Sequence, residues 1–136
     1  MDKQQLIEKA KEMLQQAYVP YSKFPVGAAV LTANGNVYQG CNIENAAFPV
    51  TCCAERVAIF KAISEGERDF QSIAVIANTD RPVPPCGSCR QVMAEFFPEE
   101  LPVYISNRDG EMNETTVGDL LPFSFNPDDL ESGQGE

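Results

Sequence analysis

Five cysteines and no histidine make up the metal-binding and nucleophilic repertoire of this 136-residue chain. Cys86 and Cys89 stand in Pro85-Cys86-Gly87-Ser88-Cys89-Arg90, where a proline-rich connector runs into a helical pattern. That spacing sets two thiols one turn apart at a helix N-terminus, whose free amides and dipole favour the thiolate. Cys53 takes the corresponding place at the start of an earlier helix. Three sulfurs on two helix starts could converge on one ion, and Zn2+ suits sulfur ligands. Three protein ligands leave the fourth tetrahedral position for water, the catalytic pattern, whereas Cys52 or Cys41 as a fourth ligand would close the site into a structural one. Adjacent residues at a helix start point in different directions, which favours the open site.

Glu55 follows Cys53 by two residues and could project toward the ion without binding it. With no imidazole present, a carboxylate must move protons between a water on the metal and a substrate nitrogen. An isolated glutamate there would simply favour its helix N-terminus; its place beside a candidate ligand gives it the catalytic reading. Three thiolates around Zn2+ leave a net −1, so the site should hold compensating positive charge or many N–H donors. Arg56 and Arg90 both follow the ligand positions directly, and the surface reading is stronger for Arg90 than for Arg56.

Acidic residues outnumber basic ones 20 to 10, for a net charge of −10. Such a surface repels polyanions, which excludes nucleic acid as an expected partner. No run of eighteen apolar residues and no apolar N-terminal segment occurs, so neither a membrane nor secretion is expected, and the cytoplasm is the default compartment. There the odd set of cysteines stays reduced, and metal binding or catalysis becomes its leading explanation. A chain of this length can bury roughly two thirds of its unfolded surface, enough for one domain over residues 1–136 without disulfides.

The elements that must hold these residues follow from periodicity. An Asp2–Gln5 capping pair precedes apolar residues at helical spacing, predicting a helix over residues 3–17 that Pro20 stops. Val26–Thr32 and Val37–Asn42 flank Asn34-Gly35, a hairpin signal. Residues 41–51 lack a period and form a loop. Thr51 is the expected cap of a helix that buries Val57, Ile59, Phe60 and Ile63 and ends at Gly66. A strand over Ser72–Ala77, a connector over Thr79–Pro85, a helix ended by Pro98, a strand at Val103–Ile105 and a short helix capped by Thr116 complete the order. Residues 128–136 read as a frayed polar tail. The order α-β-β-α-β-α-β-α predicts an α/β domain of three layers, a mixed sheet with helices on both faces.

Cys53-Ala54-Glu55 followed by Pro85-Cys86-Gly87-Ser88-Cys89 resembles the signature of zinc-dependent nucleoside and nucleotide deaminases in its all-cysteine variant. Phe24-Pro25-Val26-Gly27-Ala28-Ala29 and Asn42-Ile43-Glu44-Asn45-Ala46-Ala47 narrow the resemblance to the small homotetrameric cytidine deaminases, over about residues 17–125. The resemblance implies a cytidine deaminase-like fold and one Zn2+ per chain on Cys53, Cys86 and Cys89. It makes Glu55 the proton shuttle and Arg56 the residue that offsets thiolate charge. Phe24 would stack on the pyrimidine, Asn42 and Glu44 would bind the ribose hydroxyls, and Ala54 would offer a backbone group to the base. Phe125 would reach the active site of a neighbouring subunit. Phe48 stands where many family members have tyrosine. From the residues alone, Pro122 and Pro127 bracket an irregular stretch whose exposed rings are natural anchors for another subunit.

The activity implied is hydrolytic deamination of free cytidine and 2′-deoxycytidine, with ammonia released and no organic cofactor. A closed four-cysteine module would leave Glu55 and the asparagine loop without a task. A redox pair at Cys86 and Cys89 would make Cys53 incidental, and a nucleotide substrate would want cations for its phosphate.

Overall fold

The computed structural model describes residues 1–134. Helix α1 (Lys3–Glu12) starts on a reciprocal cap: the Asp2 carboxylate accepts from the Gln5 amide at 2.8 Å, and the Gln5 side chain accepts from the Asp2 amide at 2.9 Å. The predicted helix to residue 17 tightens into a 3-10 turn over Met13–Gln16. Strands β1 (Val26–Thr32) and β2 (Val37–Cys41) form the expected antiparallel hairpin, turning at Gly35 with φ +92°. After a loop come α2 (Ala54–Ser64), β3 (Phe70–Ala77), α3 (Gly87–Phe96), β4 (Pro102–Ser106) and β5 (Met112–Thr116). Two helices close the chain, α4 (Val117–Leu120) and α5 (Pro127–Gln134).

The sheet order is β2-β1-β3-β4-β5, parallel only between β3 and β4. Alternate residues of β1 and β3 face opposite layers. Leu6, Ile7 and Ala10 of α1 pack on Ala29, Leu31, Ala74 and Ile76. Ala28, Val30, Ile73 and Val75 meet α2 and α3 on the other side. The predicted three-layer arrangement is therefore the observed one.

Four local expectations change. Strand β5 went unpredicted because Met112-Asn113-Glu114-Thr115-Thr116 is a polar edge strand; its order comes from antiparallel pairing with β4, which local hydrophobicity does not encode. Of residues 128–136, expected to fray, 128–134 belong to α5, opened by Asn126 accepting from the Asp128 amide and by the Asp129 carboxylate accepting from the Asn126 amide, and 135–136 lie outside the described residues. The cap of α2 is Cys53, not Thr51, whose hydroxyl instead accepts from the Asn45 amide at 3.1 Å. The buried face of α2 is Ala54, Glu55, Ala58, Ile59 and Ala62, while Phe60 points outward.

That last difference has a steric cause. A Cβ on Gly40 of β2 would stand 2.5 Å from both the Ala54 carbonyl oxygen and the Ala58 nitrogen, all backbone atoms. The helix sits directly on the strand, so small residues must face it, and the larger apolar ones go to the flanks. A Gly40→Ala substitution has no flexible side chain to displace. We expect it to lower stability by about 1–3 kcal/mol, the usual range for overpacking, read as a reduced Tm; an unchanged Tm would show that α2 can lift off the sheet at no cost.

Candidate active site

Both helices that approach the cavity begin with a cysteine where serine, threonine or aspartate is usual. Cys53 caps α2 and Cys86 caps α3, each in extended backbone, and neither spends its side chain on a capping hydrogen bond. Cys89 lies in the first turn of α3 and is fully buried. The Cys53 and Cys86 sulfurs are 3.7 Å apart, and all three sulfurs lie within 4.8 Å of one another. Two sulfurs bound at ~2.3 Å to one tetrahedral zinc stand about 3.8 Å apart. The donor set therefore fits zinc in both chemistry and spacing. Among the described residues this is the cluster able to hold a metal. Cys52 is tied away from it by paired backbone hydrogen bonds with Ile43, both 2.9 Å, and Cys41 is buried on β2.

The electrostatics separate these thiols. Hydrogen bonding from the Cys89 thiol, then from the Arg56 guanidinium and Cys86, holds Cys53 down to about 5. Cys89 is correspondingly raised, by that same hydrogen bond and then by burial. Burial also pushes Cys41 and Cys52 up, which keeps them as thiols. Arg56 Nη2 donates to Cys53 Sγ at 3.3 Å, while its Nε is buried without a hydrogen-bond partner. A buried donor left unpaired is costly unless negative charge stands nearby, and the Cys53 thiolate that Arg56 touches supplies it.

Glu55 is 4% exposed. Burial first, and then the Cys53 thiolate, push its carboxyl up to about 7. It borders a cavity of about 390 Å3 together with Phe24, Asn42, Glu44, Cys53, Ala54 and Cys86. Seven of the ten expected site residues thus share one cavity. Cys89 and Arg56 stand behind it at the sulfurs. Phe125 does not line its own chain's cavity; it is 55% exposed, and its carbonyl accepts from Gln91 Nε2 at 2.9 Å.

The rim is preset by hydrogen bonds. Asn42 Nδ2 donates to the Phe24 carbonyl at 2.8 Å and its Oδ1 accepts from the Val26 amide at 3.0 Å. One donor hydrogen and one lone pair of that amide remain for a ligand. Glu44 Oε1 accepts from the Tyr21 and Ser22 amides at 3.0 and 3.1 Å; the Ser22 hydroxyl and these amides hold its carboxyl below the usual range. Lys23 has φ +58°, a left-handed conformation that non-glycine residues adopt at a cost, immediately before Phe24.

Several wall residues escaped sequence reasoning. Val75 and Ala77 come from the end of β3, and Val83 and Pro84 from the connector. The prolines of that connector were the available signal, since they stiffen a segment that borders the ligand motif. Arg90, read first as a surface residue, is half-buried and donates through Nε to the Pro85 carbonyl at 2.7 Å and through Nη1 to the Leu120 carbonyl at 2.9 Å.

Comparison with known proteins agrees with this geometry. Residues 1–105 match the family model described as the cytidine and deoxycytidylate deaminase zinc-binding region. A cytidine deaminase of Sporosarcina psychrophila is 56% identical over 130 residues, 96% of each chain. One of Halalkalibacterium halodurans is 55% identical over 96% of this chain and 98% of its own. The crystal structure of cytidine deaminase from Burkholderia pseudomallei superposes with a TM-score of 0.90 at 47% identity, covering 92% of this chain and all of that one. With a family model spanning most of the sequence, near full-length relatives above half identity and a three-sulfur cluster of zinc dimensions, the chain belongs to the cytidine and deoxycytidylate deaminase family.

Proposed function

We propose that this protein hydrolyses free cytidine and 2′-deoxycytidine to the corresponding uridines with release of ammonia, using one zinc held by Cys53, Cys86 and Cys89. The observation that carries this reading is the meeting of three sulfurs within 4.8 Å, two of which line one cavity with a buried glutamate. Zinc held there would lower the pKa of a coordinated water toward about 7 and so supply the nucleophile. Glu55 would take one proton of that water and deliver it to N3 of the pyrimidine as the oxygen bonds to C4, then pass the second proton of that oxygen to the amino group as the C4–N bond breaks and ammonia leaves. A carboxyl raised to about 7 suits a group that must both accept and donate near neutral pH. Arg56 offsets thiolate charge through its 3.3 Å contact with Cys53.

Phe24 stacks on the base, and the backbone of Ala54 at the start of α2 meets its polar edge. Asn42 keeps a donor and a lone pair for the ribose, while Glu44, held ionised, accepts from a sugar hydroxyl. A free nucleoside suits this rim better than a nucleotide, because among the described residues no arginine or lysine lines the cavity.

The working form is a homotetramer in the cytoplasm, where thiolate ligands stay reduced. Support for assembly comes from the C-terminal segment. Phe123 is fully exposed with φ +55°, and Phe125 is more than half exposed; two such rings are costly to leave in water. An open hollow of about 400 Å3, lined by Tyr21, Ser22, Glu44, Asn45, Phe48 and Thr51, shares Ser22 and Glu44 with the active-site cavity. A neighbour's Phe125 has room to complete the site there.

Three outcomes test the reading. Glu55→Gln should retain one zinc per chain and the native fold while losing at least about 10²–10⁴-fold in turnover of cytidine, followed by ultraviolet absorbance; activity within a factor of a few of wild type removes the shuttle. Cys53→Ala, Cys86→Ala and Cys89→Ala should each lose zinc and activity, whereas Cys52→Ala should keep both, as measured by metal content and turnover. Retained zinc in Cys53→Ala would instead show that the sulfur cluster is not the metal site. Finally, wild type should elute as a tetramer, and mixing inactive Glu55→Gln with Phe125→Ala chains should recover sites that combine one protomer's ring with another's glutamate. A fully active monomer would overturn the shared site.

A further inference from the structure

The connector between β3 and α3 is unusually free of backbone support for a segment that ends on a candidate metal ligand. Among the described residues, no backbone amide from Asp80 to Cys86 donates to another backbone group, and Pro82, Pro84 and Pro85 have no N–H to give. Cys86 is exposed, and a Cβ on the following Gly87 would find nothing within 4 Å. Pro82 and Pro85 are buried, but Cys86 itself is exposed, so packing anchors the connector without fixing the direction of the Cys86 side chain. Side chains hold the connector's backbone: Thr79 donates to the Arg81 carbonyl at 2.6 Å, Asn107 to the Asp80 carbonyl at 2.8 Å, and Arg90 to the Pro85 carbonyl at 2.7 Å.

Arg90 holds both peptides that flank Cys86. Its backbone amide donates to the Cys86 carbonyl at 3.0 Å, and its Nε donates to the Pro85 carbonyl, so one residue restrains the planes on either side of the Cys86 Cα. The other arm of the guanidinium reaches a fixed base. Nη1 donates at 2.9 Å to the Leu120 carbonyl, at the C-terminal end of α4. Helix α4 is itself bound to the chain before β4, through the Val117 amide on the Leu101 carbonyl and the Gly118 amide on the Glu99 carbonyl, with Val117 buried in the core.

We propose that Arg90 is a positioning residue for the metal centre: its fork ties the Pro85–Cys86 peptide to the end of α4 and so fixes the direction of the Cys86 sulfur. This rests on the zinc reading above. The two-point contact needs a planar guanidinium; a lysine at this position keeps the charge but has a single ammonium to offer two carbonyls. Partners that orient ligands in this way typically contribute 10–100-fold to metal affinity.

The test follows zinc release from the zinc-loaded protein to a colorimetric chelator, well below the Tm of each variant, for wild type, Arg90→Lys and Arg90→Met. Release should accelerate by about 10–100-fold in both variants, while each keeps a cooperative thermal transition. Release at the wild-type rate in both overturns the proposal. Wild-type release in Arg90→Lys alone overturns the fork and leaves charge as the cause. A variant that cannot fold even with zinc also overturns it, because Arg90 would then hold the whole domain rather than one ligand. Wild type that retains no zinc at all would mark failure of the zinc reading itself, a different result from equal release rates.

Discussion

The sulfurs of Cys53, Cys86 and Cys89 lie within 4.8 Å of one another, and as thiolates they would repel at that distance unless something positive converged on them. A divalent cation would answer most of that demand. The fold answers the rest with backbone and one side chain: two helix N-termini aimed at the cluster, and Arg56 in contact with Cys53. Much of the architecture follows from holding those two helix starts together. Helix α2 descends onto β2 because Gly40 offers no Cβ, and its small face of Ala54, Ala58 and Ala62 permits the approach. Helix α3 is reached from β3 through a proline connector and is pinned at its first turn by Arg90.

The parts of this design visible in the sequence were those written in local chemistry. Cysteines at helix starts, glutamate two residues beyond one of them, Asn34-Gly35 at the hairpin and Gly66 after α2 each owe their place to a short-range rule. What stayed hidden depended on partners distant in sequence. Strand β5 exists because β4 offers it an edge, and the alanine face of α2 is buried because of a glycine fourteen or more residues away. Arg90 looked like a surface residue because its acceptors, the carbonyls of Pro85 and Leu120, carry no side-chain signal. The cap of α2 was misplaced for a related reason: Thr51 is the better capping side chain, but Cys53 takes the cap position, and the Thr51 hydroxyl holds the Asn45 amide instead.

Two carboxylates face the same cavity and are driven in opposite directions by their surroundings. Glu55 sits on the first turn of α2, where the dipole favours ionisation, yet burial and the neighbouring Cys53 thiolate outweigh the helix and raise it to about 7. Glu44 lies on a partly exposed loop and accepts from two backbone amides, so it remains ionised at neutral pH. The separation suits the two groups to different tasks: a carboxylate that stays charged can accept hydrogen bonds without giving up protons, while one poised near neutrality can exchange them. The cause lies in where each residue is attached. Glu55 is buried because Gly40 lets α2 press against the sheet, and Glu44 is kept near water because its loop spends its hydrogen bonds on the turn at Tyr21–Ser22. The close contact that sets the sulfur-bearing helix start in place is thus also what tunes the Glu55 carboxyl beside it, and a change at Gly40 would disturb both at once.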